Sequence, residues 1–446
     1  MYPAEYSDDR TGRKEKKNTP MRIFKYAGTE RGLSDREIRE SILSSLNGKQ
    51  LKHVLLIPPD YTRFYSGAGQ IANIYYHALE QAGCETDILP ALGTHAPMTE
   101  EEAASMYGDI PFGRFMVHNW RTDVEKIGEV PGDYISEITE GLWTQPVSVE
   151  IDRRLLDPAY DLIISIGQVV PHEVVGMASY TKNLFVGCGG SEMINHSHMI
   201  GAVYGMERIM GKDNTPVRKI LDYGLVHFLA ERPILFVLTV STAPADEIHM
   251  HGLFIGENRD VFEAAAELAQ KKNISFVDHG IRKCVVYLTP EEFKSTWLGN
   301  KAIYRTRMAM ADGGELIILA PGVTRFGEDA DVDRLIRKYG YRGRLQILRK
   351  FKEPENQDLR DNMGAAAHLI HGSSDGRFFI TYAVRNIPRK EIEDVGFRAA
   401  DYDEMAEKYR PDELTYGFNK MPDGEEIYFI PNPALGLWIS HFSGAT

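Results

Sequence analysis

The feature that most constrains this chain is a repeated order: a short, wholly apolar run, a polar loop, then a segment of helical period. The run Val54–Ile57 meets Pro58-Pro59, which end a ladder, and leaves Asp60, Thr62 and Arg63 at its carboxyl end. A helix from about Gly69 to Ala82 follows, then a strand over Thr86–Leu89 and the loop ALGTHAPMTEEE, where Pro97 and Thr99-Glu100 open another helix. Upstream, Ser34 and Glu37 stand at capping-box spacing before a helix reaching Leu46. Tyr160–Ile166 and Pro233–Thr242 repeat the buried strand, and a helix around Val261–Lys271 follows the second. Strand, loop, helix, strand predicts an α/β fold with mostly parallel sheets. Ligands of such sheets gather beyond the carboxyl ends of the strands, which is where these polar loops fall.

A chain of 446 residues exceeds one ordinary core and predicts two domains. Residues 1–20, with DDRTGRKEKKN, read as a mobile lead-in or an oligomer arm. A first α/β domain spans 21–272. The rhythm starts afresh in a second, 273–446, with KCVVYL as a strand, Lys301–Asp312 as a helix and GGELIILAP as a strand. LQILR and RFFITYAV read as further strands, and the apolar tail IYFIPNPALGLWIS should pack, with the first domain as one surface open to it. The balance of 51 Lys plus Arg against 64 Asp plus Glu gives a net charge of −13, which disfavours nucleic acid and anionic membrane as partners. Three scattered cysteines fit a reducing compartment, and with no leader or membrane-spanning run in view the expected location is the cytoplasm.

Four segments carry chemistry, each with a plain alternative. In PPDYTR, Asp60, Thr62 and Arg63 could hold an anion or nucleotide, or Asp60 could merely cap a turn. In LGTHAPMTEE, His95 could be a general base or an exposed loop histidine. In GQVVPHEVVGMASYTKNLFVGCGG, His172 and Lys182 lie in an apolar stretch where a lysine is costly unless paired or covalently used; otherwise it snorkels to water. The GCGG at 187–190 is a weak phosphate-loop signal. In MINHSHMIG, His196 and His198 would share a face if on a strand, and either could bind a metal. His249 and His251, with Asp246 and Glu247 nearby, compete for that role.

In order and spacing, D-x-T-R after a strand, G-T-H, a His–x9–Lys pair and a histidine sixteen residues later resemble the lactate racemase catalytic subunit. The segments GENRDVFEAAAELAQ and KAIYRTRMAMADGGELIILAPG resemble that family's later parts. The resemblance implies two α/β domains with the active site in the cleft between them. It also implies a nickel-pincer nucleotide, a pyridinium mononucleotide holding nickel through S–C–S donors. Lys182 would tether that cofactor covalently and His198 would ligate nickel. His95 and His172 would be the paired acid–base residues, Arg63 and Lys301 would act on the substrate, and Asp60 and Thr62 would position the site. The implied reaction inverts C2 of an α-hydroxy acid by proton-coupled hydride transfer, through a 2-oxo acid. Partners would be that small acid and the cofactor-synthesis enzymes, with self-association left open. Two departures matter: Leu298 stands where the lactate enzymes carry glutamine, and ASYTKNL has fewer glycines than the family's lysine segment. The first points away from lactate, toward a larger or more polar acid such as a sugar acid or dicarboxylate. Two other classes stay in play: a histidine-metal (zinc or iron) hydrolase or lyase, and a binder of cofactor or metabolite without turnover.

Overall fold

The computed structural model describes residues 21–244 and 247–441. The lead-in expected over 1–20, and Asp246, lie outside the described residues. Two six-stranded sheets dominate. The first contains β1 (Arg22–Tyr26), β2 (His53–Ile57), β3 (Glu85–Ile88), β4 (Leu162–Gln168), β5 (Ile234–Thr242) and β6 (His249–Gly256). Their order is β1-β6-β5-β4-β2-β3; β5, β4, β2 and β3 run parallel, while β1 and β6 form an antiparallel edge.

The inner strands β2, β4 and β5 are apolar almost throughout because both of their faces are covered. Alternate residues divide between two cores, as the two-residue pleat requires. Val54, Leu56 and Ile164 face Ile42 of α1 (Asp35–Leu46) and Ile71 and Tyr75 of α2 (Ala68–Gln81). Leu55, Ile57 and Ile163 belong to the opposite core, which takes in helices α3 (Ser191–Tyr204), α4 (Pro216–Phe228) and α5 (Arg259–Asn273). The Ser34–Glu37 capping box forms at the head of α1.

The second sheet holds β7 (Ile281–Tyr287), β8 (Met310–Ala320), β9 (Phe379–Val384), β10 (Arg398–Asp401), β11 (Gly417–Lys420) and β12 (Glu426–Ile430). Its order is β10-β9-β8-β7-β12-β11, parallel except for the β11–β12 hairpin. The α/β class with mostly parallel sheets is therefore the observed one. In each sheet the strand order reverses once. β2 is flanked by β3 and β4, and β7 by β8 and β12, so each sheet opens a crevice at those carboxyl ends.

Local readings differ in three places. Helix α6 (Lys301–Thr306) stops at Thr306 rather than Asp312, because Met310 already enters β8. LQILR lies in a helix, Arg344–Lys352, where Ile347, Leu348 and Phe351 recur at helical spacing and turn inward. His196 and His198 lie on α3, not on a strand. Two residues make about 200° on a helix, so they point apart. The tail strand Leu437–Ser440 pairs in parallel with Ile274–Val277, and Leu437 packs with Met206 and Met210.

Candidate active site

The loop after β2 begins with a cap. Asp60 Oδ1 accepts from the Thr62 amide at 3.0 Å and from the Thr62 hydroxyl at 2.5 Å, which starts a short, kinked 3-10 helix, Tyr61–Ser66. Asp60 is buried, and its second oxygen, Oδ2, lies 2.5 Å from His95 Nδ1. The plain capping role is thus observed, and the same carboxylate also reaches His95. A carboxylate at Nδ1 fixes the proton there and leaves Nε2 of His95 as the basic nitrogen. Burial works against the Asp60 charge, but His95, Thr62 and Arg63 outweigh it and hold the carboxyl below its ordinary range.

His172 is supported differently. It lies on a two-residue strand (Pro171–His172) paired with Gly176–Met177, and it is buried. Its Nδ1 accepts from the Val174 amide at 3.1 Å, so the neutral ring carries its proton on Nε2. Burial first, then the charges of Lys182 and Arg63, hold His172 well below the usual histidine value despite the pull of Glu173. To become basic at Nε2 the ring must protonate Nδ1. The Glu173 carboxylate, 3.6 Å from that nitrogen, can take the resulting hydrogen bond. Sequence reasoning passed over Glu173, an acidic residue directly following the candidate base.

Lys182 faces the cavity. It is half-buried at the head of a short wide-turn helix (Asn183–Gly187). Burial and then Arg63 push its amine down to about 8, so about a tenth is the free nucleophile at pH 7, far more than for an ordinary lysine. The two residues before Thr181 are left-handed without being glycine: Ser179 at φ 66° and Tyr180 at φ 58°. Buried Arg218 of α4 clamps that bend, donating to the carbonyls of Met177 (2.7 Å) and Ser179 (3.1 Å) and to the Thr181 hydroxyl (2.5 Å). The GCGG glycines answer to packing. A Cβ at Gly189 would fall 1.8 Å from the Phe185 carbonyl oxygen, and one at Gly190 2.2 Å from Glu150 Oε2.

Along α3, His198 Nδ1 lies 2.7 Å from the Ile194 carbonyl, to which it donates, leaving Nε2 with a lone pair. Burial holds this ring below the ordinary histidine value. His196 instead packs edge-on against Trp143.

The candidate residues line one cavity with the loop after β7 and two helices of the second half, α6 (Lys301–Thr306) and α7 (Met363–His371). Asp60, Thr62, Arg63, His95, His172, Lys182 and His198 line it from the first sheet's side, and Lys301 from the second's. Lys301 Nζ is 3.4 Å from Glu292, and its pKa is lowered by burial despite that carboxylate. Arg63 makes no side-chain ion pair among the described residues. Trp297, Leu298, Tyr304, His368 and His371 complete the second wall. The helix face Gly364–His368–His371 escaped sequence reading because AAAHLIH looks like core. Arg305 ties the halves together, donating to Gly436 O at 2.7 Å and to Pro171 O at 3.2 Å, next to His172. His249 and His251 lie on β6, outside this lining, and His251 Nε2 is 2.8 Å from the Thr242 hydroxyl. Among the described residues, no group of three metal-ligating side chains stands ready to hold an ion unaided.

These features define a class: a two-sheet α/β protein with a cationic, histidine-rich cavity where two strand-order reversals meet. Residues 31–209 match the lactate racemase N-terminal domain. A structural-genomics crystal structure of a Thermotoga maritima protein superposes with a TM-score of 0.77 at 24% identity, covering 93% of this chain and 100% of that one. The lactate racemase apoprotein from Thermoanaerobacterium thermosaccharolyticum superposes with a TM-score of 0.65 at 16% identity, covering 91% and 93%. At these identities the two structures establish the fold alone. No curated protein matches the chain. Among the described residues, no helix is long and apolar enough to cross a membrane.

Proposed function

We propose that this protein is a racemase or epimerase that inverts C2 of an α-hydroxy acid, using a nickel-pincer nucleotide held by Lys182 and His198. The carrying observation is that two histidines with opposite Nδ1 partners, Asp60 for His95 and the Val174 amide for His172, line one cavity with Arg63 and Lys301. Inversion needs a proton acceptor for each orientation of the substrate, and a protein that only binds has no use for two.

The residues fit the cofactor. His198 offers a bare Nε2 behind an Nδ1–H held by a carbonyl, the arrangement of a metal-ligating imidazole. Lys182, its amine near 8, is suited to an acyl linkage. Beside it, Gln168 Oε1 and Ser179 Oγ line the cavity, buried and without a hydrogen-bond partner, and a bound group would satisfy them. When bound, the cofactor would supply the carbon that accepts and returns a hydride.

The chain's own residues do the rest. Arg63 and Lys301 hold the substrate carboxylate, supplying the local positive charge that an acidic chain otherwise lacks. His95 takes the hydroxyl proton at Nε2 when one face is presented, with Asp60 steadying the resulting imidazolium. His172 serves the other face once its Nδ1 proton rests on Glu173. Such acid–base help is worth about 10²- to 10⁴-fold per group. Leu298 lines the second wall and cannot hydrogen-bond a carboxylate, which favours an acid other than lactate, such as a sugar acid. Three buried, unpaired cysteines support a cytoplasmic location.

The test is co-expression with the cofactor-synthesis enzymes, then intact-protein mass and nickel content for wild type, Lys182→Ala and His198→Ala. The proposal expects a covalent adduct with about one nickel per chain (the stoichiometry of a single square-planar site). The lysine variant should lose the adduct and the histidine variant should lose nickel. No adduct and no nickel beside a working positive control would overturn it.

A further inference from the structure

The second wall of the cavity holds a buried polar atom with no partner among the described residues. His371 sits at the end of α7, on the face it shares with Gly364 and His368, and that face lines the cavity. His371 is only 3% exposed, and its Nε2 is buried without a hydrogen-bond partner. Its neighbour His368 is fully engaged: its ring stacks on Trp297 at 4.0 Å, and its Nε2 lies 3.1 Å from the Tyr341 hydroxyl. Buried polar atoms are nearly always satisfied, and an orphan lining a ligand cavity marks a place where ligand supplies the partner.

The surroundings select the chemistry of that partner. The cations on this side are committed: Arg305 to the Gly436 and Pro171 carbonyls, Arg307 to Ser373 O and Asp375, and Lys301, beside Glu292, to the C1 carboxylate under the proposed function. Glu173 also lines the cavity, so a second carboxylate would meet a like charge instead of a free cation. An alkyl tail would leave Nε2 unsatisfied. A neutral hydroxyl can donate to this nitrogen or accept from it, in either tautomer.

We propose that His371 is a specificity-determining residue that hydrogen-bonds a neutral hydroxyl carried by the substrate beyond C2. The proposal rests on the hydroxy-acid reading of the cavity.

The experiment is equilibrium binding by calorimetry to the purified full chain, using 2-oxobutyrate and 4-hydroxy-2-oxobutyrate as probes. The readout is the ratio of their affinities in wild type, His371→Leu, His371→Gln and Arg63→Met. Wild type should favour the hydroxylated acid by about tenfold or more. Leucine should bring the ratio near one, and glutamine, whose amide again offers donor and acceptor, should restore a preference. Folding of each variant is checked by its thermal midpoint. If both acids bind, both are weakened by Arg63→Met, and the ratio is one in wild type or unchanged in His371→Leu, His371 has no such role while the hydroxy-acid reading stands. If neither acid binds folded wild type at millimolar concentration, the hydroxy-acid reading falls and His371 with it.

Discussion

Replacing Ser179 by glycine should make the protein more stable, and the reason exposes what the site retains for its ligand. Ser179 holds φ at 66°, a left-handed conformation that costs a non-glycine residue about 1–2 kcal/mol. Its hydroxyl is buried with no partner, a further cost of about 1–3 kcal/mol. Glycine removes both and loses about 0.4–1 kcal/mol to greater freedom of the unfolded chain. The net gain is on the order of 2 kcal/mol, or several degrees in thermal midpoint for a domain of this size. The neighbouring residue supplies the control. Tyr180 is left-handed too, at φ 58°, but its ring packs against Phe236 at 4.2 Å and stacks on Phe262 at 5.1 Å. Deleting a buried aromatic ring costs about 3–5 kcal/mol, more than the strain relieved, so Tyr180→Gly should destabilise. Urea unfolding of the three proteins without cofactor decides the matter. A Ser179→Gly protein no more stable than wild type would refute the argument, because it would mean that the hydroxyl already has a partner or the bend is unstrained. In the loaded protein the same variant should gain less stability from the bound group than wild type does.

Asp60→Asn keeps an oxygen to cap Thr62 but removes the charge behind His95. Turnover should fall by about 10²- to 10⁴-fold with little change in unfolding midpoint; a variant retaining half its activity would remove His95 from the reaction. Lys182 should react with an acylating reagent with half-maximal rate near pH 8, the value to which its amine is lowered. A rate still climbing beyond pH 10 in peptide mapping would show an ordinary surface lysine. Burial lowers His371 to about 4 and His368 to about 3 from an ordinary 6.5. Between those values the unfolded chain binds more protons, so the stability they carry is complete above pH 6.5 and drains away as pH falls toward 4 and below. For His371 this amounts to about 3 kcal/mol at most. His371→Gln should therefore flatten the fall in unfolding free energy between pH 7 and pH 4; an unchanged slope would contradict the burial of that ring.

The parallel sheets were legible because strands covered on both faces leave continuous apolar runs, and Pro58-Pro59 marks where one of them ends. The residues at those ends were legible for the same reason, since Asp60, His95 and His172 follow strands or strand loops. What escaped was anything decided by orientation or by a distant partner. His196 and His198 look equivalent in MINHSHMIG, and only the helix turns one toward the cavity. His368 and His371 sit among alanines and leucine, where a polar face of three residues cannot be told from core. LQILR has the length and composition of a strand, and its helical state follows from which of its residues find a core to face. The bend at Ser179–Tyr180 carries no glycine to announce it, because Arg218, some forty residues on, holds it in place.

That long-range support bears on how the two halves act together. Neither sheet alone assembles a carboxylate clamp, since Arg63 follows β2 while Lys301 opens α6. The join is made beside His172, because Arg305, on the same helix as Lys301, donates to the carbonyl of Pro171, one residue from His172. That bond links Lys301's helix to the His172 strand, while His95 is held by Asp60 on the first sheet. Under the proposed function the two proton acceptors would thus be mounted on different parts of the structure, one beside its carboxylate and one linked to the second half. A site built this way would let the spacing of the proposed bases readjust when the 2-oxo acid presents its other face.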